Sequence, residues 1–383
     1  MKAFEFYNPT KVVFAQGAAS DSVGPIAASY GNHALLVYGK QSIKKNGTYE
    51  KILKSLRSVG FGQVTEFSGV KSNPSLSHLR EGIDRARSSQ VDVIIAVGGG
   101  SVMDEAKGIA VGVHHAGDPW DFYSGEATPQ TGLPIITVPT LPATASEMNS
   151  CSVITNDDTK EKFGFFSEHL FPKAALMDPE LTLTIPLDYT AYAGVDAISH
   201  LIEGYFTGDA RWTPIQDRYV EGLVKTIIET TDRIMKDPQD IEARSTMMWA
   251  ATLAWNGLGV SGVGNMGFPN HMIEHPLSGR YDIAHGAGLS IVMPAWMRYV
   301  QDRYASKLTQ FAREVFGLDS AAAGIDALEA WFRSIDSPTT LTEGKIPINE
   351  IPSIATDAID LGKRWGISDY SHQDVMKILE SAA

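Results

Sequence analysis

Asp196 and His200 stand four residues apart in the stretch Ala193-Gly-Val-Asp-Ala-Ile-Ser-His200, and His271, His275 and His285 follow in a second stretch. On a helix an i,i+4 pair projects from one face, so a carboxylate and an imidazole at this spacing reach one point without backbone strain. Alone, such a pair reads equally well as surface or capping residues. Four of the chain's ten histidines, however, are concentrated in these two stretches. The imidazoles of His200, His271 and His285 with the Asp196 carboxylate suit a borderline divalent ion, Fe²⁺ or Zn²⁺, whereas Mg²⁺ and Ca²⁺ favour shells made of oxygen. Such an ion would act as a Lewis acid toward a substrate oxygen.

A second signature lies in the first half. Val91-Asp-Val-Ile-Ile-Ala-Val97 is an apolar run of strand length that stops at Gly98-Gly-Gly-Ser101, and Val102 to Ala110 resumes with helical character. Glycines let a backbone come close to a ligand, and the N–H groups at a helix start favour an anion such as a pyrophosphate. The run is not the G-x-G-x-x-G fingerprint, and a triple glycine by itself also fits a tight turn. A further strand, Ala34 to Tyr38, ends at Gly39-Lys-Gln-Ser42-Ile-Lys-Lys45, where an adenosine ribose would sit in a doubly wound fold. No acidic residue stands there to bind the 2′-hydroxyl of NAD, while serine and lysines accept a 2′-phosphate, so the reading is NADP. Those lysines also fit an ordinary solvated face.

The elements that must position these groups differ between the two halves. Up to residue 186, short β-branched runs (34–38, 91–97, 134–138) alternate with helix-like segments from Tyr49 to Val59 and Leu76 to Ser89, which argues for a parallel sheet wrapped by helices. Beyond it such runs are rare and long helical patterns follow, as in Pro214 to Met235 and Ile241 to Trp255. The expected division is an α/β domain over 1–186 and an all-helical domain over 187–383, with ligands meeting at strand carboxyl ends in the cleft between them. Phe4 to Gln16 reads as a hairpin or edge strand. Gly257 to Gly267, with five glycines, reads as a loop close to the metal, since glycine is costly inside a helix.

At 383 residues the chain exceeds the size at which one core stops growing. A net charge of −13 disfavours nucleic acid or an anionic membrane as partner. The single cysteine, Cys151, excludes an internal disulfide and a cysteine-based zinc site, and reads as a buried apolar group. The N-terminus shows no signal peptide and no run approaches membrane-spanning length, so a cytoplasmic protein is expected.

With Gly98-Gly-Gly-Ser101, Asp104, Lys107, Thr137-Val-Pro-Thr140, Ser146-Glu-Met-Asn149, Asp196-x-x-x-His200, His271 and His285 in order, the chain resembles the iron-containing (group III) alcohol dehydrogenases over nearly its whole length. Val37-Tyr-Gly-Lys-Gln-Ser-Ile-Lys-Lys-Asn-Gly47 and Lys71-Ser-Asn-Pro-Ser75 make it most similar to the NADP(H)-dependent butanol dehydrogenase and broad-range aldehyde reductase branch. The resemblance implies a Rossmann-like sheet domain followed by a helical metal-binding domain, the dehydroquinate synthase-like fold, and a homodimer paired through the N-terminal strand. It implies that Asp196, His200, His271 and His285 are the metal ligands and that Gly98, Gly99, Gly100 and Ser101 hold the pyrophosphate. It places Gly39, Ser42 and Asn73 near the adenosine phosphate and ribose. Asp104, Thr137, Thr140, Leu141 and Lys162 then line the cofactor cleft, with Lys162 near the nicotinamide ribose, and His275 lies beside the metal without ligating it. Two departures stand out: Gly39-Lys-Gln-Ser42 where relatives often read Gly-Gly-Gly-Ser, and Ala143-Thr-Ala-Ser-Glu147 where many read Gly-Thr-Gly-Ser-Glu.

The expected activity is a metal-dependent NADP(H) oxidoreductase interconverting primary alcohols and aldehydes. His275 is the candidate catalytic proton relay, and Trp249, Trp255, Met266 and Phe268 are candidates for an apolar substrate channel. An NAD-dependent polyol dehydrogenase is the alternative within this chemistry. A dehydroquinate synthase-like lyase is the alternative outside it, and would need several basic residues near the metal, where Arg280 is the only one between His271 and His285.

Overall fold

The computed structural model describes all residues, 1–383, and the chain divides into two compact units, one of Tyr7–Ile185 and one of Met1–Phe6 with Pro186–Ala383. The first holds strands β1 (Lys11–Phe14), β2 (His33–Tyr38), β3 (Gln63–Ser68), β4 (Val93–Gly98), β5 (Ile135–Pro139), β6 (Cys151–Thr155), β7 (Lys162–Phe166) and β8 (Ala174–Met177). Six of them form one sheet in the order β1-β8-β5-β4-β2-β3, every neighbouring pair parallel, while β6 and β7 make a separate antiparallel hairpin.

Helices α1 (Ala18–Ala28), α2 (Ser42–Lys45), α3 (Thr48–Ser58), α4 (Leu76–Ser89), α5 (Gly100–Gly112) and α6 (Trp120–Ser124) lie between the strands in sequence. One face of the sheet buries Leu36, Tyr38, Ile95, Val97, Ile136 and Val138 against Val23 and Ala27 of α1 and Ile52 and Leu56 of α3. Parallel strands covered by helices must be apolar on both faces, and β4 is buried at every position. From β2 the chain moves outward to β3, then returns past β2 to β4. The carboxyl ends of β2 and β4, which carry Gly39 and Gly98, therefore flank the point where strand order reverses, the general ligand position in such sheets.

The second unit is helical: α7 (Leu187–Thr207), α8 (Pro214–Lys236), α9 (Ile241–Ala254), α10 (Pro269–Tyr281), α11 (His285–Tyr299), α12 (Ala305–Phe311), α13 (Ala321–Ser334), α14 (Ile351–Arg364) and α15 (His372–Ser381). Helix α7 is buried on every side from Ala193 to Phe206 and packs against α8, α9, α10 and α11. An all-round buried helix is the centre of its domain, not its surface. Trp296 of α11 is wholly buried, and its indole N–H donates to the Tyr370 hydroxyl at 2.8 Å, which satisfies the one polar atom that this large side chain brings into the core. No helix is long and apolar enough to cross a membrane.

Of the two readings for Phe4–Gln16, the edge strand holds and the hairpin does not: Lys11–Phe14 is the only strand there, at the edge of the sheet and parallel to β8. The first six residues leave the sheet unit altogether. The Lys2 N–H donates to the Gly262 carbonyl at 2.9 Å, and the terminal amine donates to the Trp212 carbonyl at 3.1 Å. The Gly257–Gly267 loop underlies this segment, with Phe4 against Gly262 and Phe6 against Gly257. Its positive-φ glycines at 257, 262 and 264 serve tight turns and these close approaches, and the loop runs between Trp255 and Phe268.

Candidate functional site

Three helices of the second unit bring the metal-ligand candidates together. Asp196 and His200 lie one turn apart on α7, His271 is in the first turn of α10, and His285 is the first residue of α11. The donor atoms of Asp196, His200 and His271 all lie within 4.8 Å of one another. His285 completes the group, its Nε2 3.9 Å from Asp196 Oδ1 and its ring centroid 5.2 Å from that of His271.

Each imidazole is held through Nδ1. His200 Nδ1 donates to the Asp196 carbonyl at 2.9 Å, His271 Nδ1 donates to Glu203 Oε1 at 3.0 Å, and His285 Nδ1 pairs with Glu274 Oε2. With Nδ1 engaged in all three, Nε2 is the nitrogen that can ligate an ion. Asp196 Oδ1 is buried without an aligned hydrogen bond, with His200 Nδ1 3.1 Å away. A buried carboxylate oxygen left so would be costly unless a cation meets it. The donor set and this oxygen fit one divalent metal ion.

The electrostatics agree. Burial alone would raise the Asp196 carboxyl, but His200, His285 and His271 together hold it well below the usual carboxylate range. Burial would lower His200, and Asp196 outweighs it and holds it up. Glu203 is pushed up by burial to about 8, against the pull of the His271 amide and of His200.

Aromatic rings continue the site. Trp255 stands 5.7 Å from His200, Phe268 stands 4.8 Å from Trp255 edge-on, and Phe268 is 5.6 Å from His271. Met266 is placed against Gly204 of α7, and Trp249 is 38% exposed on α9. His275 is buried, one turn after His271, with its ring 5.6 Å from that of His285 and 5.1 Å from Trp365.

The sheet unit gathers the dinucleotide candidates at strand ends. Helix α5 starts at Gly100 after Gly99, with no side-chain cap and no acid in its first turn, so its N–H groups point at whatever lies beyond β4. A Cβ at Gly100 would sit 2.4 Å from Thr144 Oγ1, and one at Gly99 would sit 3.3 Å from Leu141, so the glycines let the Leu141–Thr144 loop close over the turn. Thr140 N–H donates to the Gly98 carbonyl at 2.9 Å. Ser101 follows on the first turn, half-buried. The Lys162 ammonium donates to Asn73 Oδ1 at 3.1 Å, which joins two candidates from distant segments, and Gly39 and Ser42 lie beyond the end of β2.

Two candidates take supporting positions. The Thr137 side chain is wholly buried and its hydroxyl donates to the Ala174 carbonyl at 3.3 Å, which serves the sheet. Asp104 accepts from Ser146 Oγ at 2.6 Å and from the Val153 N–H at 3.1 Å, tying α5 to the loop and hairpin. Lys107 adds a buried clamp: its ammonium donates to the Asn149 carbonyl, Asn149 Oδ1 and the Cys151 carbonyl at 3.0, 2.9 and 2.8 Å. Burial brings its pKa down to about 8 against the pull of Asp104. Ala145 takes φ +52, a conformation that costs a residue with a Cβ about 1 kcal/mol, so the departure at Ala143-Thr-Ala is met by backbone strain.

Reading by residue type and spacing overlooked Glu203 and Glu274, both wholly buried. A signal was present: each follows a histidine of its own helix by three residues, His200 and His271, the spacing of one helix face.

Comparison with known proteins adds the following. Residues 9–179 match the family model described as iron-containing alcohol dehydrogenase, and residues 190–383 match that of the Fe-containing alcohol dehydrogenase family, C-terminal. The chain is 38% identical to the probable NADH-dependent butanol dehydrogenase 1 of Bacillus subtilis (strain 168), across 100% of both chains. It is 34% identical to the NADPH-dependent aldehyde reductase YqhD of Escherichia coli (strain K12), across 92% of each. The crystal structure of NADH-dependent butanol dehydrogenase A from Thermotoga maritima superposes with a TM-score of 0.96 at 39% identity, covering 100% of this chain and 99% of that one.

Proposed function

The chain belongs to the iron-containing alcohol dehydrogenase family and is an oxidoreductase interconverting alcohols and aldehydes with NAD(P) and a divalent metal, and we propose that its substrates are small or medium straight-chain primary alcohols and their aldehydes. The observation that carries the site is the convergence of three Nδ1-anchored histidines on the buried Asp196 carboxylate. Asp196, His200, His271 and His285 would hold one ion, Fe²⁺ or Zn²⁺. When bound, the ion polarises the substrate oxygen and the nicotinamide carries the hydride. Trp255 and Phe268, in contact with His200 and His271, keep water from that oxygen and offer an apolar wall to an alkyl chain. Arg280 argues against the lyase alternative, because its guanidinium is engaged by Asp357 at 2.6 Å and by Ser353.

His275 is assigned the proton that the alcohol hydroxyl releases, since it is buried one turn after His271 with its ring 6.2 Å from that of His271 and 5.6 Å from that of His285. A base must be neutral to accept a proton, so alcohol oxidation by the parent enzyme should rise with pH until the base is deprotonated. In His275→Gln that rise is expected to flatten, with kcat down ~10²-fold and metal content kept. An unchanged pH–rate profile would remove His275 from the mechanism.

For the cofactor we infer NADP(H). The relatives named above include NADH- and NADPH-dependent enzymes, so the choice rests on this chain's own residues. No carboxylate occurs from Gly39 to Lys45. Glu66 on β3 is committed elsewhere: it accepts from the Tyr38 and Tyr49 hydroxyls at 2.5 and 2.6 Å and from Lys44 at 3.0 Å, partners that hold it down at about 2. Exposed Lys40, Ser42 and Lys45 are then the groups offered to a 2′-phosphate. The expected kcat/KM for NADPH with butanal exceeds that for NADH by at least ~10-fold, which corresponds to about 1.4 kcal/mol from the phosphate contacts. A ratio at or below one assigns the enzyme to NADH.

A cytoplasmic homodimer completes the proposal. Phe4, Phe6, Trp212 and Ile215 are 54, 42, 75 and 68% exposed, and the link from the N-terminal amine to Trp212 brings the segment beside that loop. Such an exposed apolar patch marks an interface.

A further inference from the structure

We propose that Glu203 and Glu274 are positioning residues of the metal centre, each lying on an earlier helix than the histidine it holds. The inference rests on the metal-site reading above. Glu203 follows Asp196 and His200 along α7, yet its Oε1 accepts the Nδ1–H and the main-chain N–H of His271 on α10, both at 3.0 Å. The main-chain N–H can only donate, so Oε1 is an acceptor there and the proton on His271 is assigned to Nδ1. Glu274 follows His271 along α10, yet its Oε2 pairs with Nδ1 of His285 on α11, and its Oε1 accepts from Ser278 Oγ. His285 Nε2 then faces Asp196 Oδ1 at 3.9 Å, back on α7.

The three helices are thus linked in a ring: α7 holds the imidazole of α10, α10 holds that of α11, and α11 returns to the carboxylate of α7. Both glutamates are 0% exposed, and of the histidines they hold His271 is buried and His285 half-buried. A carboxylate behind an imidazole fixes the tautomer, orients the ring and makes Nε2 a better donor. His200 differs in that its Nδ1 is held within its own helix, by the Asp196 carbonyl at 2.9 Å with the Asp196 carboxylate 3.1 Å away, and not by a carboxylate of another helix. The ring makes one ligand geometry a property of the packing of three helices, and it predicts that the metal loses affinity when a link is removed even though all four ligands remain.

Zn²⁺ affinity of the full chain, measured by chelator competition, tests this in Glu203→Gln, Glu203→Ala, Glu274→Gln and Glu274→Ala, alongside the visible spectrum of the Co²⁺-loaded protein and the Tm of the metal-free protein. The alanine variants are expected to bind Zn²⁺ ~10- to 100-fold more weakly, with a shifted Co²⁺ spectrum. The glutamine variants should recover part of that loss, because an amide oxygen still accepts from Nδ1, and should melt near the parent when metal-free. Affinity within twofold of the parent in all four variants overturns the proposal. So does a loss of affinity in the glutamine variants that is matched by an equally large fall in metal-free Tm, because that marks a purely structural role. Two Zn²⁺ per chain, with one lost in Glu274→Gln, would make Glu274 a ligand beside His275 and His285 and overturn its positioning role. His200→Ala separates the two levels: parental Zn²⁺ binding in that variant removes the metal site itself.

Discussion

Asp196→Ala is expected to bind no metal at stoichiometric Zn²⁺ or Fe²⁺ and to lose ~10³-fold or more in kcat/KM for butanal while keeping its helical content. Asp196 supplies the only anionic donor of the four, and its Oδ1 is a buried oxygen without an aligned hydrogen bond in the protein. Without it, three neutral imidazoles must hold a divalent cation in a buried site with nothing to offset its charge, and desolvation then opposes binding. The lost Lewis acid is worth several kcal/mol of transition-state stabilisation, and ~4 kcal/mol corresponds to about 10³-fold in rate. Alanine is a strong helix former, so the substitution should not unfold α7. Metal content by elemental analysis, steady-state kinetics and circular dichroism on one preparation check the three parts. Parental turnover in a protein shown to be metal-free would sink the metal mechanism.

Gly286→Ala has the second large expected effect, on assembly of the same site. A Cβ at Gly286 would lie 2.0 Å from the Tyr192 carbonyl oxygen and 2.6 and 2.8 Å from its carbonyl carbon and Cα. These are backbone atoms of α7, so no side chain can swing aside, and α11 must move away from α7. His285 begins α11 directly before this contact, and Asp196 follows Tyr192 by one turn. The same displacement that relieves the methyl therefore draws His285 from Asp196. Overpacking of this kind costs ~1–3 kcal/mol or more, so both Tm and Zn²⁺ affinity should fall. Gly222→Ala on α8, where a Cβ meets nothing within 4 Å, is the matched control and should be neutral or slightly stabilising. A Gly286→Ala protein with parental Tm and metal affinity would show that the close approach of α7 and α11 does not hold the site.

Both results depend on features of unequal visibility in the chain. Long patterns were legible where one physical signal dominated. The apolar spacing marked α4, α8 and α9 to within a residue or two, and β-branched runs marked β2, β4 and β5. Strand β3 was not seen, because Gln63–Ser68 lies at the sheet edge with no residue fully buried and a sequence that is largely polar. Strand β8, Ala-Ala-Leu-Met, has no β-branched residue and is a strand only because β1 and β5 pair with it. The N-terminal six residues carry no signal that could say which unit they join.

At the site, the candidate chemistry was legible in the chain. A carboxylate and imidazole four apart on a helix, two more histidines, and a glycine turn between strand and helix are local patterns, readable because helix geometry and glycine's freedom act over a few residues. Tertiary structure alone decided which groups serve which. Glu203 looks by spacing like a partner of His200 but holds His271, and Glu274 looks like a partner of His271 but holds His285. Nothing local marks Gly286 as the place where two helices touch. The reason is physical: a hydrogen bond or a methyl clash between helices depends on their packing and register, which the sum of buried contacts over the whole domain sets and no short segment encodes.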